Sequence, residues 1–217
     1  MPQTIELDPT AAPQDIENRS FAIIDAEIPE PRPFQGGLWQ VARRCVHTLG
    51  DTEILADLRL SGKGLAAGVK ALRRGCTVFT DTRMAAAGLP LRRMSPLCVT
   101  VTPLMALPGL EDTARRLGVT RSRAGVEAVA DKLAGQIMVI GNAPTALLAL
   151  LEALERGAPA PALIVGMPVG FVNAAQSKEL LHRSPWPHFT LLGRKGGSAV
   201  ASACVNALAE LALARRQ

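Results

Sequence analysis

The sequence is poor in aromatic residues. Phe, Trp and Tyr make up 3% of its 217 residues, and Tyr is absent. Modules that bind single-stranded nucleic acid stack bases on aromatic side chains, so this composition argues against them. Basic residues are also spread thinly, because no run of Lys or Arg exceeds two and the net charge is only +5. We therefore expect no nucleic-acid partner, and a small or medium-sized anionic ligand fits better.

Long hydrophobic runs are missing as well. No apolar run reaches the roughly 18 residues that a membrane span needs. The N-terminus lacks the basic-then-apolar pattern of a signal peptide, and residues 1–13 are expected to form a loose leader. The remainder, 14–217, has the length of a single domain with a sizeable core. We therefore expect a cytoplasmic protein with no membrane partner.

The few cysteines form no metal-binding or redox motif. None of the four stands in a C-x-x-C pair or another metal-ligand spacing, and most lie in apolar runs: Cys45, Cys76, Cys98 and Cys204. They are expected to be buried free thiols in a reducing cytosol. The sequence therefore predicts no metal site.

Apolar periodicity predicts a helical first third and a mixed remainder. Helices are expected over 13–27, 38–49 and about 61–74, with no strand before residue 75. Short β-branched runs predict strands at 76–80, 97–101, 137–140, 162–165 and 189–192. Helical patterns fill most of the later gaps, at 121–134, 144–156, 173–182 and 197–214. This alternation predicts an α/β protein with a three-layer αβα architecture, a mainly parallel five-stranded sheet and extra N-terminal helices.

Three glycine-containing loops follow predicted strands, which is where ligands bind in α/β proteins. In the loop at 141–144, Asn142 is a candidate helix cap, and a purely structural turn is the simpler interpretation. The loop at 166–170 is apolar, so Val169 either packs internally or touches an apolar ligand face. The loop at 193–198 combines glycines, Arg194 and a helix start, which suits an anion. ATP and NAD are poorly supported, because no loop reads G-x-x-x-x-G-K-[S/T] or G-x-G-x-x-G.

His47 is the candidate acid–base residue. It lies on the predicted helix 38–49 one turn after Arg44, so the two share a face, and histidine titrates near neutral pH. A lone helical histidine is more often structural, and both interpretations stay open. His182 and His188 flank a Pro-rich loop and are interpreted as surface residues.

Several polar residues lie beside the predicted loops and helix starts. Thr120 is a candidate cap that leaves Arg121 free to face a ligand, and Arg19 lies beside Ser20 near the N-terminus. Asp81 directly follows a strand, so it either contacts a ligand or caps the next segment. Because arginine grips carboxylates with two hydrogen bonds, this set predicts an acidic ligand.

Taken together, the motifs resemble the precorrin-8X methylmutases, including the cobalt-precorrin-8 methylmutases. The likeness covers nearly the whole chain, from about Ile16 to Ala214. It rests on motifs in the same order, namely Arg19-Ser20-Phe21, Arg44 to His47, Asp81 to Met84 with Gly88, Thr120 to Ser122, Ile140 to Ala146, Gly166 to Ala175 with Ser177-Lys178, and Gly193-Arg194 with Gly196-Gly197-Ser198.

The resemblance implies a flavodoxin-like fold, a homodimer and an isomerase. Its substrate would be a tetrapyrrole corrin precursor, precorrin-8X or cobalt-precorrin-8. A methyl group would move from C-11 to C-12 of the ring in a sigmatropic shift, giving hydrogenobyrinate or cobyrinate, and no cofactor is expected. The alternative is a corrinoid-binding or carrier protein with no chemistry of its own.

The resemblance also implies roles for individual residues. His47 matches the catalytic histidine and would donate a proton to the ring. The expected substrate-binding residues are Arg19, Ser20, Arg44, Asp81, Met84, Thr120, Arg121, Ser122, Asn142, Gly166, Val169, Arg194, Gly196, Gly197 and Ser198.

Overall fold

The structure, a computed structural model, describes residues 12–214. The predicted leader lies outside the described residues except for Ala12 and Pro13, and Pro13 already opens the first helix. The helices are α1 (Pro13–Glu27), α2 (Gly37–Leu49), α3 (Gly62–Arg73), α4 (Arg83–Ala87), α5 (Leu91–Met94), α6 (Leu110–Leu117), α7 (Arg121–Glu127), α8 (Pro144–Glu155), α9 (Ala174–Arg183) and α10 (Ser198–Ala214). The strands are β1 (Leu58–Leu60), β2 (Thr77–Thr80), β3 (Thr100–Pro103), β4 (Ile137–Ile140), β5 (Leu163–Gly166) and β6 (His188–Leu191).

The strands form one sheet in the order β1-β6-β5-β4-β2-β3. Strands β2 to β6 are parallel to their neighbours, and β1 runs antiparallel to β6 at one edge. The parallel part has the strand order of flavodoxin-like folds, so this expectation is confirmed. Its order reverses between β2 and β4, which is where such sheets open a crevice at the carboxyl ends of the strands.

Helices cover both faces of the sheet and bury separate apolar clusters. Along β4, Ile137 and Val139 join the cluster with α2, α3 and α10, whereas Met138 and Ile140 join the cluster with α7 and α8. All four of these side chains are fully buried. A strand that is apolar on both faces needs a helical layer on each side, and the three-layer prediction is confirmed.

The sheet has six strands rather than the predicted five, because β1 was missed. The segment Leu58-Arg59-Leu60 has only three residues and follows a 3₁₀ turn, and neither Leu nor Arg favours strands. It becomes a strand because its backbone pairs with 189–191 of β6. The expectation of no strand before residue 75 was therefore wrong.

Three further predictions need correction. The strand expected over 97–101 starts only at Thr100, because Leu97 ends a 3₁₀ turn and Cys98 is left-handed. The helix expected over 121–134 ends at Glu127, because Val129 leaves the helical conformation and a 3₁₀ turn follows at 130–132. Cys98 is exposed, since it occupies a left-handed position at the end of a 3₁₀ turn before β3, while the other three cysteines are buried. Within residues 12–214, no helix is both long and apolar enough to cross a bilayer.

Candidate active site

The turns after β2 and β4 meet at the strand ends through Asp81. Its buried carboxylate accepts hydrogen bonds from the backbone N–H groups of Gly141 at 3.2 Å, Asn142 at 2.7 Å and Ala143 at 2.9 Å. Burial raises the pKa of Asp81, and these N–H groups oppose the rise. Asp81 therefore links the turns after β2 and β4, and its burial with three N–H partners argues against direct substrate contact.

Caps around these turns differ in part from the prediction. Asn142 is exposed and does not cap α8, whose N-cap is Ala143 without a side-chain hydrogen bond. Asn142 is held instead by its backbone N–H on Asp81. The cap of α4 is Thr82 rather than Asp81, since the Thr82 hydroxyl accepts from the N–H of Ala85 at 3.0 Å.

The turn between β6 and α10 contacts three other strand-end turns, those after β2, β4 and β5. A Cβ atom at Gly141 would lie 2.6 Å from Cα of Ser198, and one at Gly196 would lie 2.2 Å from the Met167 carbonyl oxygen. Gly197 donates its N–H to the same carbonyl at 2.9 Å, and the Ser198 hydroxyl lies 3.0 Å from that of Thr82. These glycines therefore permit turn-against-turn contact.

The loop after β5 presents apolar side chains outward. Val169 is exposed, as are Phe171 at 81% and Val172 at 77% of their full surface. The Arg194 guanidinium lies over the Phe171 ring at 5.2 Å, which is a cation–π contact. Gly166 itself is buried, and a Cβ there would lie 2.4 Å from Leu181. Arg194 and the apolar loop thus form one exposed rim, while Gly166 serves packing.

His47 lies half-buried at the carboxyl end of α2, against α1. Its Nδ1 is 2.7 Å from the hydroxyl oxygen of Ser20, and its ring meets that of Phe21 edge-on at 5.3 Å. No hydrogen bond to Nε2 occurs within residues 12–214. Ser20 therefore fixes the orientation of the His47 ring through Nδ1.

Arg44 is engaged inside the protein. Its buried guanidinium donates to Glu17 at 2.9 Å and to both carboxylate oxygens of Glu210 at 2.8 Å. The hydrogen bond from Arg44 holds the pKa of Glu17 below its usual value. Arg44 thus joins α1, α2 and α10, and this contact set argues against a role in gripping substrate. Arg19, by contrast, is exposed on α1.

A second basic region lies beside the ends of β2 and β3. Arg121 and Arg83 line a cavity of about 510 Å³ together with Met105 and Leu107. Thr120 caps α7 as predicted, because its hydroxyl accepts from the Arg123 N–H at 3.2 Å. The remaining candidates nearby are the half-buried Ser122 and Met84, which is 65% exposed.

One ion pair joins the α2 end to the strand-end turns. Lys195, in the turn before α10, contacts Asp51 just after α2 with its Nζ at 2.6 Å from Oδ2. No hydrogen bond runs from His47 itself to those turns within the described part of the chain. His47 and Ser20 therefore form one cluster, the strand-end turns a second and Arg121 a third.

The two remaining histidines differ from each other. His182 is exposed, as predicted, but His188 is buried, with Nδ1 2.8 Å from the Trp186 carbonyl oxygen. The surface interpretation of His188 was wrong because it opens β6, whose residues are covered on both faces. Among residues 12–214, no group of three or more His, Cys, Asp or Glu is placed to hold a metal ion.

The family model of precorrin-8X methylmutase (CbiC) matches residues 15–211. The chain belongs to the precorrin-8X methylmutase family. A precorrin-8X methylmutase of Pseudomonas aeruginosa is 43% identical over 198 residues, which cover 90% of this chain and 94% of that protein. A cobalt-precorrin-8 methylmutase of Salmonella typhimurium is 41% identical over 201 residues, with the same coverage of 90% and 94%.

A solved structure agrees with this assignment. The precorrin-8X methylmutase of Thermus thermophilus superposes with a TM-score of 0.86 at 41% identity, covering 93% of this chain and 97% of that one. The chain is thus an isomerase, a methylmutase of cobalamin biosynthesis. The predicted family and activity class are confirmed.

Two side chains that the sequence did not single out have defined places in the structure, Arg83 and Lys178. Arg83 lines the cavity of Arg121, and the signal was its place two residues after the strand-end Asp81. Lys178 is fully buried under the turn at 193–198. The resemblance included Lys178 in a motif, but nothing in the local pattern shows that its side chain is buried.

Proposed function

We propose that this chain moves a methyl group from C-11 to C-12 of precorrin-8X or cobalt-precorrin-8, giving hydrogenobyrinate or cobyrinate. The substrates named for its relatives support this choice of tetrapyrrole. The observation that carries the proposal is the Ser20–His47 pair, with Nδ1 held at 2.7 Å.

His47 is the proton donor in this proposal. A methyl shift within a conjugated macrocycle is faster when electron density is drawn away from the ring that contains C-11 and C-12. A proton, or a hydrogen bond, on the ring nitrogen does this. With Nδ1 held by Ser20, Nε2 is the nitrogen that serves the substrate. Proton transfer from Nε2 requires the imidazolium, in which Nδ1–H donates to the Ser20 hydroxyl, and the neutral imidazole is left with its proton on Nδ1.

The substrate is a flat apolar ring with carboxylates around its edge, and the exposed side chains suit both parts. Arg19, Arg121 and Arg194 are exposed cations that grip carboxylates. Phe171 and Val172 offer an apolar surface beside Arg194. A binding surface of this kind matches a polyacid large enough to reach several turns at once.

Replacing His47 with Ala tests the proposal. We expect turnover to fall by roughly 100- to 10,000-fold, the usual contribution of a general acid, while product binding is retained. Conversion is followed by the visible spectrum of the corrin precursor. His182→Ala is the matched control, because His182 is an exposed histidine on α9.

The outcomes separate the enzyme from a carrier. A colour change that continues over many substrate molecules per chain supports catalysis, whereas a change that stops at one equivalent indicates a corrinoid carrier. Normal turnover by His47→Ala would remove His47 from the mechanism.

We also propose a homodimeric, cytoplasmic protein with one domain over residues 14–217. Exposed apolar side chains follow β2 at Met84 and β5 at Phe171 and Val172, and such a surface suits a subunit contact beside the substrate as well as the substrate itself. The unpaired thiols of Cys45 and Cys204, 3.4 Å apart, suit a reducing compartment. Light scattering at micromolar concentration should give twice the chain mass, and a monomer would refute the dimer.

A further inference from the structure

Lys178 is a buried cation that the proposed mechanism does not use. It lies on α9, and its side chain has no exposed surface. Its Nζ donates a hydrogen bond to the carbonyl oxygen of Lys195 at 2.6 Å. Burial lowers the pKa of Lys178 to about 8, with the charge of Asp57 opposing this. A lysine kept under these conditions is costly to bury, which favours a role other than stability.

The carbonyl that Lys178 holds belongs to the turn between β6 and α10. This turn is closely packed, because Gly196 lies so near the Met167 carbonyl that a Cβ atom would not fit. Gly197 donates its N–H to that carbonyl, and the Arg194 carbonyl accepts from Gly170 at 3.2 Å. Three consecutive parts of the turn are therefore held by hydrogen bonds, at the Arg194 carbonyl, the Lys195 carbonyl and the Gly197 N–H. Lys178 makes the middle one.

The same turn carries two exposed basic side chains, Arg194 and Lys195. Arg194 lies over Phe171, and Lys195 reaches across to Asp51 at the end of the His47 helix. The position of the Lys195 backbone therefore determines where the side chains of Arg194 and Lys195 lie. A change beneath the turn moves its outer face without touching any exposed residue.

We propose that Lys178 is a positioning residue: by holding the Lys195 carbonyl it fixes the β6–α10 turn and so sets the affinity for the carboxylates of the substrate. This inference rests on the proposed function for its substrate. It assigns no role in proton transfer to Lys178, which acts through the turn.

Lys178→Met removes the donor while keeping an unbranched side chain of similar length. We expect the KM to rise about tenfold and kcat to stay within about threefold, because binding contacts are displaced while His47 is not. We expect backbone amides of 193–198 to exchange hydrogen faster by mass spectrometry. Lys178→Arg keeps a charged donor and should recover most of the KM loss.

Arg183→Met is the matched control, because Arg183 is an exposed cation on the same helix that pairs with Glu179. An unchanged KM and unchanged exchange in Lys178→Met would overturn the proposal. So would a loss of activity that merely follows a lower melting temperature, or a Lys178→Arg enzyme no better than Lys178→Met. Hydrogen exchange needs no substrate, so it judges the positioning role even if the wild-type chain fails to convert precorrin-8X.

Discussion

Asp81→Asn separates an anchoring carboxylate from a substrate contact. In the wild type the carboxylate satisfies the N–H groups of Gly141, Asn142 and Ala143. An asparagine keeps one oxygen, which can serve Asn142 and Ala143, and it turns an NH₂ group toward Gly141. One buried backbone N–H then faces another donor and loses its acceptor.

The expected loss follows from this geometry. Leaving one buried donor unsatisfied costs about 1–3 kcal/mol, and the donor-to-donor contact adds to it. Removing a buried charge offsets part of this, since burial alone raises the pKa of Asp81. We therefore expect a net loss of about 2–3 kcal/mol in the free energy of unfolding. For a chain of this size, each kcal/mol lowers Tm by about 2–4 °C, so the drop should be about 4–12 °C.

Urea unfolding and a thermal melt measure this loss, with Asp131→Asn as a control at an exposed aspartate. Assays well below Tm should find a KM within about threefold of wild type. An unchanged Tm with a KM raised more than tenfold would refute the reasoning, because Asp81 would then bind substrate rather than the turn.

Two further predictions concern His47 and Lys178. Ser20→Ala should lower kcat by roughly 10-fold with little change in KM, because the imidazole loses the hydroxyl that orients it; equal kcat in steady-state assays would contradict this. Lys178→Met should be at least as stable as wild type at pH 7. With a folded pKa of about 8 against an ordinary 10.5, burying the charge costs about 3 kcal/mol. The charge-assisted hydrogen bond that the variant loses is worth about 1.5–3 kcal/mol, so the net gain should be about 0–2 kcal/mol. Between pH 8 and 10.5 the unfolded wild type binds more protons, so its stability should rise with pH, and denaturant titrations of Lys178→Met should lack this rise.

The sheet was predictable because its central strands, β4 and β5, are apolar on both faces. Runs such as Ile137 to Ile140 can only be buried between two helical layers, and this decides the architecture from the sequence. Edge strand β1 was not predictable, because Leu58-Arg59-Leu60 carries no strand pattern and depends on pairing with residues 189–191. Strand order also depends on crossovers, which no local pattern encodes.

The sequence located the strand-end turns, but it did not predict the hydrogen-bond partners of the individual side chains. Arg44 looks like a carboxylate-binding arginine in the sequence, and it does bind carboxylates. Those carboxylates belong to Glu17 and Glu210, and Glu210 is 166 residues away. Asp81 likewise follows a strand as ligand-binding aspartates do, yet its partners are N–H groups 60 to 62 residues later. Residue type and strand-end position predict the chemistry of a group, whereas its partner is fixed only by the fold.

The partners of the strand-end glycines also depend on the fold, and they show which groups do not need a ligand. Glycine permits close approach, and at Gly141, Gly166 and Gly196 the approaching group is Ser198, Leu181 or Met167 of this chain. These glycines therefore let the strand-end turns pack closely against the rest of the chain. Close packing of the turns fixes the position of the exposed side chains that they carry. Under the proposed function, the groups left for the substrate are exposed side chains such as Arg194 and Phe171 beside these turns, together with Nε2 of His47 in its own cluster. Affinity should consequently respond to changes at residues such as Arg194, and folding stability to changes at the glycines.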